Sequence, residues 1–142
     1  MVDVGDKTES ARTATARGTV HVGSEIASLI KQNLLKKGDV LSVAQLAGIM
    51  GAKKTAELIP LCHNINLTHV EVSLNLENES VAVECTARSV GKTGVEMEAL
   101  TGVAIAALTV YDMCKAVSRK IRIETIFLVK KTGGSRGDYN ES

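Results

Sequence analysis

The sequence predicts a small α+β domain in which an antiparallel sheet packs against helices. Three observations carry that expectation. Residues 65–87 alternate apolar and polar side chains on either side of Asn78-Glu79-Ser80, as the arms of a half-buried hairpin do. Ala99 to Tyr111 contains no charge, so a helix over it is apolar all round and belongs in a core. The chain of 142 residues, with 44% hydrophobic and 23% charged side chains, is sized for one domain around one core.

Each element follows in order. Residues 1–18 are small and polar, with Lys7, Arg12 and Arg17 among them, and read as a mobile N-terminal arm. Met1 to Ser10 is too polar for a signal peptide. Thr19 to Val22 is a short strand. Ser24 suits a helix N-cap, and Ile26, Leu29, Ile30 and Leu34 recur at helical spacing. Lys36 and Lys37 fit the last turn, with Gly38 as the left-handed residue that stops it. A second helix covers Ser42 to Met50, with Val43, Leu46, Ala47 and Met50 apolar, and can run past Gly51 as far as Glu57 before Pro60 ends it. Val70, Val72, Leu74 and Leu76 share one face of a strand over residues 65–76. Ile65 and Leu67 fall out of phase with them, which places a bulge near Thr68. Val81, Val83, Cys85 and Ala87 mark the return strand. A loop at Gly91 to Gly94 leads into a long helix, Val95 to Arg119, and then a strand, Ile121 to Val129. The domain therefore spans residues 19–131, and residues 132–142, with Gly133, Gly134 and Gly137, form a loop and tail.

Composition excludes several classes of function. Seventeen basic and sixteen acidic side chains leave a net charge of +1, which offers no electrostatic footprint for nucleic acid or an anionic membrane. The aromatic residues are Tyr111, Phe127 and Tyr139, too few for a base-stacking platform. The uncharged run at Ala99–Tyr111 is too short to span a bilayer. Cys62, Cys85 and Cys114 are odd in number, widely spaced and free of any zinc-ligand pattern, which points to a reducing cytoplasm.

The chemistry-bearing stretches each allow two readings. Gly91-Lys92-Thr93 ends like a phosphate-binding P-loop between a strand and a helix. Thr86 stands where that loop needs its first glycine, however, and no apolar run ending in Asp follows, so a turn into a helix fits better. On the long helix, Glu98, Gly102, Ile105, Thr109, Asp112 and Ala116 share a stripe, with Lys115 three residues beyond Asp112. Asp112 and Lys115 are either a solvated helix-end ion pair or an acid and an amine able to shift each other's pKa and move protons. His63, in Ile59-Pro60-Leu61-Cys62-His63, is either structural or an acid, base or phosphate donor. His21 and His69 carry no such signal. Lys37 beside Gly38 caps a helix or offers an amine to an anion. Lys130-Lys131-Thr132-Gly133-Gly134 is a solvated tail or a phosphate nest. Together these groups suit a small domain that binds a phosphorylated small molecule.

The strings KGDV, AGIMGAKKTAELIPLCH, GKTGVEMEALTGVAIAALTVYDMCKAV and KTGG occur here in the order and spacing of the cyclic pyranopterin monophosphate synthases of molybdenum cofactor biosynthesis, and MVDVGDK resembles that family's entry segment. The resemblance covers nearly the whole chain. It implies a ferredoxin-like α+β fold and a cytoplasmic homohexamer, a trimer of dimers with active sites at subunit interfaces. It also implies a lyase that converts 3′,8-cyclo-7,8-dihydro-GTP to cyclic pyranopterin monophosphate and releases pyrophosphate. Carried over residue by residue, the catalytic aspartate and its lysine fall on Asp112 and Lys115, and the lysine of the KG turn on Lys37. Substrate contacts fall on Leu61, Cys62, His63, Glu96, Met97, Glu98, Lys131 and Arg12. No resident cofactor or metal is implied, and magnesium would enter only as a companion of pyrophosphate. Nucleic acid and membrane are not expected partners. The sequence departs from the family pattern at Asn64, where a proline is usual, and at Ser135-Arg136, where the cation stands one position late and is left outside the expected site. A non-catalytic nucleotide-binding module is the alternative, but a pure binder has no use for the Asp112–Lys115 pair.

Overall fold

The structure, a computed structural model, describes residues 1–141. Strands β1 (Ser10–His21), β2 (Leu67–Glu77), β3 (Ser80–Gly91), β4 (Arg122–Thr132) and β5 (Tyr139–Asn140) form one antiparallel sheet in the order β2-β3-β1-β4-β5. Helices α1 (Gly23–Gln32), α2 (Val40–Lys53), the short α3 (Thr55–Leu58) and α4 (Glu96–Cys114) complete the chain. Helix α4 packs on β1, β3 and β4, and α2 packs on β2 and α4. The fold is the α+β arrangement the sequence predicts.

The N-terminal segment differs from expectation. Residues 10–18 are no mobile arm; they belong to β1, the central strand, paired with β3 from Ser10↔Gly91 to His21↔Ser80 and with β4 on the other side. Arg12, Ala14, Ala16, Gly18 and Val20 face inward and are buried. The period is that of a strand. Its inward residues are small because α4 lies directly upon them: a Cβ on Gly18 would stand 2.7 Å from Val103 Cγ1.

The hairpin follows the sequence closely. The register of β2 against β3 shifts between Leu67 and His69, so the bulge sits at Thr68, and Asn78 adopts φ +54° in the turn. Helix α1 starts without a side-chain cap at Ser24. Instead the backbone N–H groups of Val22 and Gly23 donate to the Glu79 carbonyl in the hairpin turn. It also stops early, because Asn33 takes the left-handed conformation expected of Gly38. Residues 34–38 are thereby released as a loop, and Lys37 lies there rather than in a helical turn. Helix α4 ends at Cys114 rather than Arg119, since no residue between Lys115 and Lys120 is buried and the packing face has run out. Strand β4 extends to Thr132, and the tail adds β5, which pairs Tyr139 with Lys131.

Helices α2 and α4 cross through glycines. A Cβ on Gly102 would meet Cys85 Sγ at 2.6 Å, and one on Gly48 would meet the Gly102 carbonyl oxygen at 2.9 Å. By length and composition alone α4 could cross a membrane, but much of its apolar surface packs on the sheet and α2.

Candidate active site

The expected site residues gather at the two ends of α4. At the C-terminal end, Asp112 occupies the last turn and Lys115 the C-cap. Gly38, at φ +105°, lets the chain turn sharply after Lys37. Asp39 then caps α2 by accepting from the Ser42 N–H at 3.2 Å and its hydroxyl at 2.9 Å. This loop carries Lys37 Nζ to 2.8 Å from Asp112 Oδ2, and Lys115 Nζ stands 3.0 Å from Oδ1. Lys37 also donates to the Asp112 carbonyl at 3.3 Å, where the helix dipole favours a cation. One carboxylate thus lies between two amines, all three about half exposed. The hydrogen bond from Lys37, then that from Lys115, holds the Asp112 carboxyl below its usual range. At neutral pH Asp112 is a carboxylate with an amine within hydrogen-bond reach of each oxygen.

At the N-terminal end, the first turn of α4 presents Glu96, Met97 and Glu98, and the segment after Pro60 brings Leu61, Cys62 and His63 against them. These six residues, with Ile65, Thr93 and Gly94, line a cavity of about 170 Å³. His63 and Glu96 also border a second cavity of about 330 Å³, shared with Arg12, Lys131, Lys7 and Arg136.

The two cavities have opposite electrostatics. Arg12 is 5% exposed; its Nε donates to the Gly91 carbonyl at 2.9 Å. Among the described residues no carboxylate pairs with it. The Gly134 backbone, at φ +89°, passes so close to the guanidinium that a side chain there would strike it. Lys131 Nζ is 3.1 Å from Glu96 Oε1. In the smaller cavity Glu98 is 4% exposed, its Oε2 has no hydrogen-bond partner, and burial pushes its carboxyl up. Burial, then the nearby Glu98 charge, likewise raises the Cys62 thiol. A buried cation and a buried acid with spare hydrogen-bonding capacity are costly in an empty protein. They fit a ligand with an anionic end and an N–H-bearing end.

The two clusters do not meet within one chain. Glu98 and Asp112 lie fourteen residues apart on one helix, or about 21 Å at 1.5 Å per residue. The sequence left Lys7 and Arg136 outside the expected site, yet both border the cation-lined cavity. Their signal was available in the glycines near Arg136 and in the single lysine of the N-terminal segment before Ser10. Lys92, unassigned by the sequence, donates to the Gly5 carbonyl at 2.8 Å. Among the described residues no group of three or more His, Cys, Asp or Glu side chains could hold a metal ion.

Comparison with known proteins adds the following. A family model described as the MoaC family matches residues 1–134. A cyclic pyranopterin monophosphate synthase of Peptoclostridium acidaminophilum is 53% identical over 139 residues, covering 98% of this chain and 88% of that protein. One from Chloroflexus aurantiacus is 57% identical over 141 residues, covering 98% and 86%. The human molybdenum cofactor biosynthesis protein 1 is 54% identical over 144 residues, which take in all of this chain and 23% of the longer protein.

Proposed function

The chain belongs to the MoaC family, and we infer that it acts in molybdenum cofactor biosynthesis as a lyase that converts 3′,8-cyclo-7,8-dihydro-GTP to cyclic pyranopterin monophosphate and pyrophosphate. The opposed charge of the two cavities at the start of α4 is the observation that carries the substrate assignment. Arg12 and Lys131, with Lys7 and Arg136 beside them, take the triphosphate, and His63 borders the same cavity. Glu98, through its open Oε2, accepts hydrogen bonds from the guanine-derived ring, with Leu61, Cys62 and Met97 against that ring.

A sugar hydroxyl attacks the α-phosphorus, a new P–O bond closes the cyclic monophosphate, the bond to the β-phosphate oxygen breaks, and the hydroxyl proton leaves with the departing pyrophosphate. Cations stabilise the charge that gathers on the phosphate oxygens, which is most of what such a step asks of a protein. Asp112 and Lys115, with Lys37, serve the other half of the reaction. The carboxylate receives a proton and a flanking ammonium gives one as the guanine-derived ring opens and recloses.

These groups must reach one substrate, so Asp112, Lys115 and Lys37 of one chain complete the site begun by Arg12, His63 and Glu98 of another. A homohexamer built as a trimer of dimers supplies such pairs. No resident metal is needed, and the free thiols of Cys62, Cys85 and Cys114 suit the cytoplasm. Incubation of the pure protein with 3′,8-cyclo-7,8-dihydro-GTP is expected to release one pyrophosphate per pterin formed. Folded protein that binds the compound and releases none would be a binding module instead.

A further inference from the structure

Residues 1–9 precede β1 and are exposed except for Val4, which is half-buried, so packing does little to hold them. Hydrogen bonds hold them instead. A turn closes from the Lys7 N–H to the Val4 carbonyl at 3.1 Å, and Asp3 Oδ1 accepts from the Gly5 N–H at 2.8 Å. Two side chains from the body of the protein then grip the segment by its carbonyls. Lys92 Nζ donates to Gly5 at 2.8 Å, and His63 Nε2 meets the Val2 oxygen at 2.6 Å. The segment so fixed forms a wall of the cation-lined cavity through Val2, Val4 and Lys7.

A carbonyl only accepts, so the His63 contact requires the proton on Nε2. In the neutral ring Nδ1 is then the free acceptor, and the ring is held in one orientation. Lys92 has spent its ammonium on Gly5 and leaves the phosphate groups to Arg12, Lys131, Lys7 and Arg136.

We propose that residues 1–7 are a strap over the phosphate-binding cavity, and that Lys92 is a positioning residue whose clasp on Gly5 closes the strap and fixes His63. The proposal rests on the triphosphate reading of that cavity. Substrate enters and pyrophosphate leaves when the clasp is open, and the closed strap keeps water from the phosphates.

Amide hydrogen exchange of residues 2–8 in the free protein tests the clasp without reference to turnover. In Lys92→Ala the protected amides, Gly5 and Lys7, are expected to exchange as fast as an unstructured chain, while Lys92→Arg keeps them protected. Turnover supplies the second arm. Lys92→Ala is expected to raise KM about tenfold, the effect of one charge-assisted hydrogen bond, and to change kcat much less; Lys92→Arg restores KM. Deleting residues 2–5 gives the same KM, and adding Lys92→Ala to that deletion costs nothing more. Unchanged exchange in Lys92→Ala, or a further tenfold loss when it is added to the deletion, overturns the proposal; the latter would make Lys92 a phosphate ligand. If the unmodified protein releases no pyrophosphate, the functional reading fails, and the exchange result still decides whether the strap exists.

Discussion

Asp112 shares one carboxylate between two amines, and its place on an open helix end lets the role of charge be separated from that of packing. Asp112→Asn keeps the shape and removes the base. It is expected to lower kcat by 10²-fold or more, the usual worth of a positioned acid or base, and to lower the thermal midpoint only slightly, because an ion pair this exposed is worth little. Lys115→Ala should behave alike. Near-normal turnover in either would remove the pair from the chemistry. Glu98 makes the opposite case. Burial raises its folded pKa above the unfolded value of about 4.5, so between those values the folded state binds more protons and stability falls as pH rises. Glu98→Gln should therefore stabilise the ligand-free protein at pH above the raised folded value, with the gain vanishing below pH 4, while weakening substrate binding. Thermal midpoints across pH check the sign. A Glu98→Gln gain that grew toward acid would mean that the carboxylate has a partner in the fold. The Asp112–Lys115 pair was legible in the sequence, because positions three apart on a helix are neighbours. Spacing alone could not join Lys37 to it; that contact depends on where Asn33 ends α1 and Gly38 turns the chain.

The elements were legible where large apolar residues kept a period and obscure where small ones did. The Thr68 bulge showed in the sequence as a break of phase, and the structure has it at that residue. Strand β1 keeps an equally regular period, but its inward residues Arg12, Ala14, Ala16 and Gly18 carry too little hydrophobicity to announce it. Two-residue β5 depends on pairing with Lys130 and Lys131 and has no local signal. The small residues are required by the close contact of helix and sheet. Gly102→Ala would press a methyl into Cys85 Sγ and should cost about 1–3 kcal/mol, read from the midpoint of chemical denaturation. In a Cys85→Ala background, which removes the obstructing sulfur, the same change should cost less. An equal cost in both backgrounds would mean that the Gly48 side of the crossing sets the limit.

Across the whole molecule α4 holds the two clusters at a fixed separation, which makes the assembly testable by mixing. Arg12→Ala and Asp112→Asn subunits, each inactive alone, should recover about a quarter of the unmodified turnover when co-assembled at random, since one site in four then draws both intact ends. No recovery in mixed oligomers would confine each site to one chain, and sedimentation as a monomer would remove the shared site altogether. Since side chains supply the cations, turnover is expected to persist in excess chelator; a loss reversed by magnesium would assign the ion a part in pyrophosphate departure. The sheet order has a consequence for how the chain is made. Strand β1 is synthesised before both of its partners, β3 and β4, and Thr13 pairs as far along the chain as Thr132. Its edge toward β3 stays open until Gly91 has been made, and its edge toward β4 until Thr132. Unpaired edges invite pairing with other chains, and long-range pairing is slow. Nascent chains cut short before residue 122, which lack β4, should thus aggregate more readily than chains that include it, and the low hydrophobicity of β1 would limit how fast they do so.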